Sequence, residues 1–145
     1  MRNLHPELYH VSSYLELEQA RFEEKLQVSM DVEDDLNCLV PSFILQPLVE
    51  NAVRYGADAK GMRTVSIQAR TRDGLGEISV SDKGPGIPKD MVIQLYSGEG
   101  RGGVGLKNVH RRIELYYGIG YGLTIESQEG RGTSVCIKIP LTSAK

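Results

Sequence analysis

At 145 residues the chain is one ordinary domain, long enough to bury roughly 70% of the surface it would expose unfolded. Its 40% hydrophobic and 25% charged residues are the proportions of a soluble globular protein. A net charge of -2 excludes a whole-molecule field for gathering nucleic acid or anionic lipid, so any anion must be held by a local site. No apolar run approaches the roughly 20 residues needed to cross a bilayer, and no secretory leader opens the chain. Cys38 and Cys136 sit in hydrophobic surroundings without CxxC or Cys/His spacing, which predicts buried free thiols and a reducing compartment.

Residues 7 to 26 read as an amphipathic helix. Leu8, Val11, Leu15, Phe22 and Leu26 recur every three, four and seven positions, while Glu16, Glu23, Glu24 and Lys25 take the other side. Such a helix either packs on the domain's own core or connects to an upstream helix. Taken as a connector, residues 1–25 stand apart from a domain spanning 26–145. Alternation of Leu26, Val28, Met30 and Val32 then predicts a half-buried strand, ended by Glu33-Asp34-Asp35. A second helix is predicted from Pro41 to Gly56, with Pro47 bending it or delaying its regular part.

Two strands follow, 64–70 and 77–81, joined by a turn at Asp73-Gly74. Glycines crowd between Gly84 and Gly105, interrupted by a short helical stretch over 89–95. A third helix is predicted over 106–117, stopped by Gly118. Strands 122–127 and 133–140 close the chain around Glu129-Gly130. One mixed, mainly antiparallel sheet covered by about three helices makes an α/β two-layer sandwich.

Four constellations carry chemistry. On the second helix Asn51, Arg54 and Tyr55 are related by i, i+3 and i+4 and share a face, opposite Ile44, Leu48, Val49, Ala52 and Val53. An amide oxygen, a guanidinium and a phenol suit a magnesium-bound polyphosphate, although a plain polar helix face would look the same. Asp82-Lys83-Gly84-Pro85-Gly86-Ile87 follows a strand directly. A carboxylate there, next to tight glycine backbone, can accept from an amino group such as that of adenine; an Asp-Gly turn is the alternative.

The third constellation runs from Gly98 through Gly100, Gly102, Gly103, Val104 and Gly105 to Leu106, straight into a helix. Glycines let backbone amides approach phosphate, and the helix N-terminus adds partial positive charge. Gly98, Gly100 and Gly103 match GxGxxG formally. A dinucleotide fold is excluded because a helical stretch precedes them, and a P-loop because Leu106-Lys107 follows Gly105. Fourth, Gly132-Thr133 opens the last strand, where a threonine hydroxyl could reach a base or its bridging water.

In this order the four pieces resemble the N, G1 and G2 boxes and the terminal Gly-Thr of the ATPase superfamily of gyrase, heat-shock chaperone, histidine kinase and mismatch-repair proteins. Within it, PSFILQPLVENAVRYG, GLKNVHRRIELYYG and YLELEQARFEEKL are most similar to the LytS-like sensor kinases. The resemblance implies a Bergerat-type ATP-binding fold that takes ATP and Mg2+. It implies Asn51 as the metal ligand, Arg54 and Tyr55 facing the phosphates, and Asp82 on the adenine amino group with Thr133 supporting it. Gly84 and Gly86 would shape the base pocket, residues 98–105 would close over the triphosphate as a lid, and Ile87 and Leu106 are implied as further ATP-binding residues. Many relatives carry Asn or Glu four residues before the metal-binding Asn; here that position is Pro47, and Glu50 is the adjacent candidate base.

The resemblance also implies a phospho-accepting helical segment of the same protein upstream, a response regulator of the LytTR type, and a cytoplasmic domain of a bacterial membrane receptor. No nucleic-acid partner and no direct membrane contact are expected. The Asn-Pro-His-Phe acceptor run of that family is absent, and none of His5, His10 and His110 lies in a matching motif. Two rivals remain: a stand-alone serine kinase of the anti-sigma type, and a nucleotide-free scaffold, the latter disfavoured by the presence of Asn51 and Asp82.

Overall fold

The computed structural model describes residues 2–34, 36, 38–98 and 103–141. In chain order these form β1 (Arg2–Asn3), α1 (Leu4–Phe22), a 3-10 turn (Glu23–Lys25), β2 (Leu26–Val32), β3 (Leu39–Val40) and α2 (Gln46–Tyr55). The hairpin β4 (Arg63–Arg72) and β5 (Leu75–Asp82) follows, then α3 (Lys89–Tyr96), α4 (Gly103–Tyr117), β6 (Gly122–Gln128) and β7 (Gly132–Pro140). A five-stranded sheet has the order β2-β4-β5-β7-β6, with β2 parallel to β4 and every other pair antiparallel. The short strands β1 and β3 pair separately.

Side chains alternate across the large sheet. Val65, Ile67 and Ala69 of β4, Ile78 and Val80 of β5, and Val135, Ile137 and Ile139 of β7 are buried. They meet Leu48, Val49, Ala52 and Val53 of α2 and Leu106, Val109 and Ile113 of α4 in one core. The intervening residues, such as Gln68, Ser79 and Ser134, are polar, so the opposite face is turned to water. This is the two-layer arrangement the alternation predicts, with four helices in place of about three.

Local departures have physical reasons. The first helix begins at Leu4, because Pro6 sits within its first turn, where a missing amide costs no intrahelical bond. It ends at Phe22, and a 3-10 turn carries the chain to Leu26. Leu8, Val11 and Leu15 of its predicted stripe are buried in the common core, joined by Leu4 and by the carboxylic side chain of Glu7. Pro47 delays α2: residues 41–45 form turns and bends, and the helix starts at Gln46 with Pro47 in its first turn. Helix α4 starts three residues earlier than expected, at Gly103. Cys38 is buried as predicted, whereas Cys136 is half-buried on the polar face of β7; both thiols are free.

The β4–β5 turn places Asp73 and Gly74 at φ 52° and 78°, the left-handed pair a tight hairpin needs. At the β6 edge, two outward-facing amides end on helix side chains. Leu123 N donates to Nδ1 of His110 at 2.9 Å, and Ile125 N donates to the Tyr96 hydroxyl at 2.8 Å. His110 is therefore half-buried and committed to this edge contact.

Candidate nucleotide site

Three of the four predicted pieces meet where the C-terminal end of α2 reaches the end of β5 and the start of β7. Asp82 is the last residue of β5, and its Oδ1 accepts from the amide of Gly84 at 2.9 Å and from that of Thr133 at 3.3 Å. Both donors belong to buried residues. A Cβ on Gly84 would lie 2.8 Å from the Gly56 backbone and 2.9 Å from the Tyr55 carbonyl oxygen. A Cβ on Gly56 would in turn meet the Asp82 side chain at 2.8 Å. Glycine at both positions lets the end of α2 and the loop after β5 touch backbone to backbone.

A second layer fixes the loop. The Ser127 hydroxyl accepts from Ile87 N at 2.7 Å and lies 2.9 Å from the Thr133 hydroxyl. Gly130 N donates to the Pro85 carbonyl at 2.7 Å. Gly86 at φ 73° passes the β6–β7 turn so closely that a Cβ would sit 2.1 Å from the Gln128 carbonyl oxygen. Gly132, at φ 122°, leaves equally little room beside the Asp82 carbonyl. Ser127 carries this network, and sequence reasoning missed it, since a serine inside a strand has no special signature.

On α2, Asn51 is half-buried and its Oδ1 is buried without a hydrogen-bond partner among the described residues. A buried amide oxygen left open in this way costs about 1–3 kcal/mol unless something else occupies it. Arg54 is exposed, with its guanidinium carbon 6.0 Å from the ring centre of half-buried Tyr55. Glu50 is exposed and accepts from Nε2 of Gln46 at 3.0 Å, a contact that orients its carboxylate. Tyr14 of α1 lies nearby. Burial raises the pKa of its hydroxyl, the Glu18 and Glu50 carboxylates add to the effect, and Arg54 opposes it.

The start of α4 lies near α2. A Cβ on Gly105 would sit 3.8 Å from the Pro47 ring, so the first turns of α4 and α2 are neighbours. Gly98, at φ 88°, faces the Lys107 side chain. Gly103 and Val104 open α4, Leu106 is buried, and Gly100 and Gly102 lie outside the described residues. A cavity of about 780 Å³ adjoins the site, lined by Asp82, Gly132, Thr133, Ser127 and the α3 residues Lys89 and Val92 among others. It reaches the Asp82 end alone and does not include Asn51, Arg54 or Tyr55. Among the described residues no cluster of His, Cys, Asp and Glu could hold a metal by itself, and no helix is long and apolar enough to cross a membrane.

The sheet order and its helical cover are those of histidine kinase catalytic domains. The chain superposes on the nucleotide-free catalytic domain of the histidine kinase ThkA with a TM-score of 0.80. That match covers 98% of this chain and 97% of the other at 21% sequence identity. The chain belongs to the histidine kinase-, DNA gyrase B- and HSP90-like ATPase family, whose sequence profile matches residues 41–143. It is 40% identical over 136 residues to the sensor histidine kinase YpdA of Escherichia coli K12, covering 92% of this chain and 24% of that protein. It is 38% identical over 143 residues to the sensor protein LytS of Bacillus anthracis, covering 94% of this chain and again 24% of the relative. The chain thus spans about a quarter of the length of these two sensor proteins.

Proposed function

We propose that this chain is the ATP-binding catalytic domain of a sensor histidine kinase, which binds Mg-ATP and donates the γ-phosphate to a histidine on a helical segment outside this sequence. The observation that carries the reading is the Asp82 cradle. Two buried amides hold Oδ1, and glycines at 56, 84 and 132 leave no room for side chains around it. A carboxylate fixed in this manner is preorganised to accept from the exocyclic amine of adenine, which guanine replaces with a carbonyl. Ile87 and the glycines beside it shape the apolar wall of the base pocket.

Asn51 fits a magnesium ion on chemical grounds, since its Oδ1 is a hard oxygen donor, buried and without a partner among the described residues. A single protein oxygen is enough where phosphate oxygens and water complete an octahedral shell. When bound, the ion neutralises charge on the β- and γ-phosphates. Arg54 and Tyr55 would donate to the same oxygens, beside the positive end of the α4 helix dipole.

In the transfer the γ-phosphorus–oxygen bond breaks toward ADP while a nitrogen–phosphorus bond forms on the acceptor imidazole. Glu50, oriented by Gln46, is the carboxylate that α2 offers to receive the imidazole proton. Positioning supplies most of the acceleration, because the histidine is itself the nucleophile. The phosphoryl group would pass on to a response regulator of the LytTR type, and the whole protein would be a bacterial membrane receptor with this domain in the cytoplasm.

Calorimetric titration of ATP, with and without Mg2+, tests the reading on the wild-type chain. Binding that strengthens with Mg2+ is the expected result. No binding to a folded wild-type chain would leave the scaffold alternative standing.

A further inference from the structure

Helix α2 enters from an irregular strap, residues 38–45, that is held from two sides. On one side, Leu4 N of α1 donates to the Cys38 carbonyl at 3.2 Å, β1 pairs with Leu39 and Val40, and His10 meets the ring of Phe43 edge-on at 5.1 Å. On the other side, the Arg112 guanidinium of α4 donates to the Ser42 carbonyl at 2.6 Å, and the Tyr117 hydroxyl donates to the Leu39 carbonyl. Leu45, the residue just before α2, makes no side-chain cap for the helix. Its amide donates instead to Oε1 of Glu7, 38 residues earlier, at 3.3 Å.

Glu7 is fully buried, in a stripe otherwise filled by Leu4, Leu8, Val11 and Leu15. Burying a carboxyl group costs free energy that an apolar side chain of similar size would not, so packing alone does not account for a glutamate here. What it supplies is an acceptor at the mouth of α2, where a negative group is also favoured by the helix dipole. From Leu45 to Asn51 is six residues, or roughly 9 Å of helix. The position of Asn51 is therefore set by where the first turn of α2 is held.

We propose that Glu7 and Arg112 are positioning residues for the nucleotide site, gripping the 38–45 strap so that Asn51 presents its amide oxygen at the metal position. The proposal rests on the nucleotide-binding reading above. Neither residue touches nucleotide; each acts through the strap. Because α1 and α4 grip the same strap, a displacement of α1 is felt at Asn51.

The test is calorimetry of ADP binding to the full chain, in Mg2+ and in EDTA, with thermal melting recorded on every variant. Glu7→Ala is expected to lose about tenfold in the Mg2+-dependent gain in affinity, in the range seen when partners of metal ligands are removed. Binding in EDTA should stay within about twofold of wild type, since Asp82 is untouched. Glu7→Gln, which keeps an acceptor for Leu45 N, should recover most of the gain. Arg112→Gln, too short to reach Ser42, should lose it as Glu7→Ala does and decides the question alone if Glu7→Ala does not fold. A variant that melts lower yet keeps the full Mg2+ gain would overturn the proposal, as would equal losses with and without Mg2+, or a Gln variant no better than Ala. Wild type that binds no nucleotide would sink the underlying reading first, a distinguishable failure.

Discussion

The Asp82 carboxyl holds two backbone amides and, in the function proposed above, would also accept from adenine; two substitutions separate these roles. Asp82→Ala removes the acceptor shared by Gly84 N and Thr133 N, leaving two amides of buried residues without it. Each such amide costs about 1–3 kcal/mol, so this variant should be markedly less stable as well as unable to bind. Asp82→Asn keeps an oxygen for both amides, but that orientation turns its NH2 toward the position of the adenine amine, donor against donor. The loss is then confined to the nucleotide: one hydrogen bond to a charged acceptor, about 1.5–3 kcal/mol, or roughly 10- to 150-fold in affinity. Thermal melting and calorimetric titration of ATP on the same samples read the two effects. Asp82→Asn should melt close to wild type and bind ATP at least about tenfold more weakly, and its preference for ATP over GTP should fall because guanine offers an acceptor to the new amide. Unchanged ATP affinity in Asp82→Asn would refute the assignment of this carboxylate to the base.

Gly84→Ala should destabilise the chain by about 1–3 kcal/mol or more in denaturant melts, because its Cβ would press into the Gly56 and Tyr55 backbone. Leu15→Ala, at a site 2% exposed, should cost about 2–5 kcal/mol by the same measurement and show whether α1 belongs to the cooperative unit. Burial pushes the thiols of Cys38 and Cys136 up to about 11 from an ordinary 9.0. Both should alkylate slowly with iodoacetamide at pH 8 and quickly in urea. The favourable contribution of their neutral forms is complete below pH 9 and is lost as pH rises toward 11, so stability should fall over that interval. The chain incubated alone with labelled ATP should yield no acid-labile, base-stable phosphoprotein; such a band would relocate the acceptor to one of His5, His10 and His110.

Much of the fold was legible because the core is built from regular alternation. Val65, Ile67 and Ala69, or Val135, Ile137 and Ile139, announce a strand with one wet face without reference to anything distant. The strands β1 and β3 were not legible: two residues carry no period, and their pairing depends on α1 lying beside residues 38–40. Glu7 hid for a related reason. A glutamate on a helix reads as solvent-facing, and only the three-dimensional meeting with Leu45 shows its purpose. Pro41 looked like the first residue of α2, but Pro47 blocks regular hydrogen bonding until Gln46. At the site, Asp82 with Gly84 and Gly86 was readable since few local structures demand that pattern. The contribution of Ser127, and the closeness of Gly105 to Pro47, arise from contacts across the sheet and between helices that no local spacing encodes.

The two amides along β6 that end on His110 and Tyr96 have a bearing on how copies of this molecule meet. A border strand with bare, evenly spaced donors invites another strand to extend the sheet, whether from a neighbour or from a misfolded chain. Here an imidazole and a phenol from α4 and α3 already occupy those donors, and α3 packs against the same strand. A second copy could pair with residues 123–125 only by displacing both aromatic groups. Growth of the sheet from the β6 side is thus disfavoured over residues 123–125 by the fold itself.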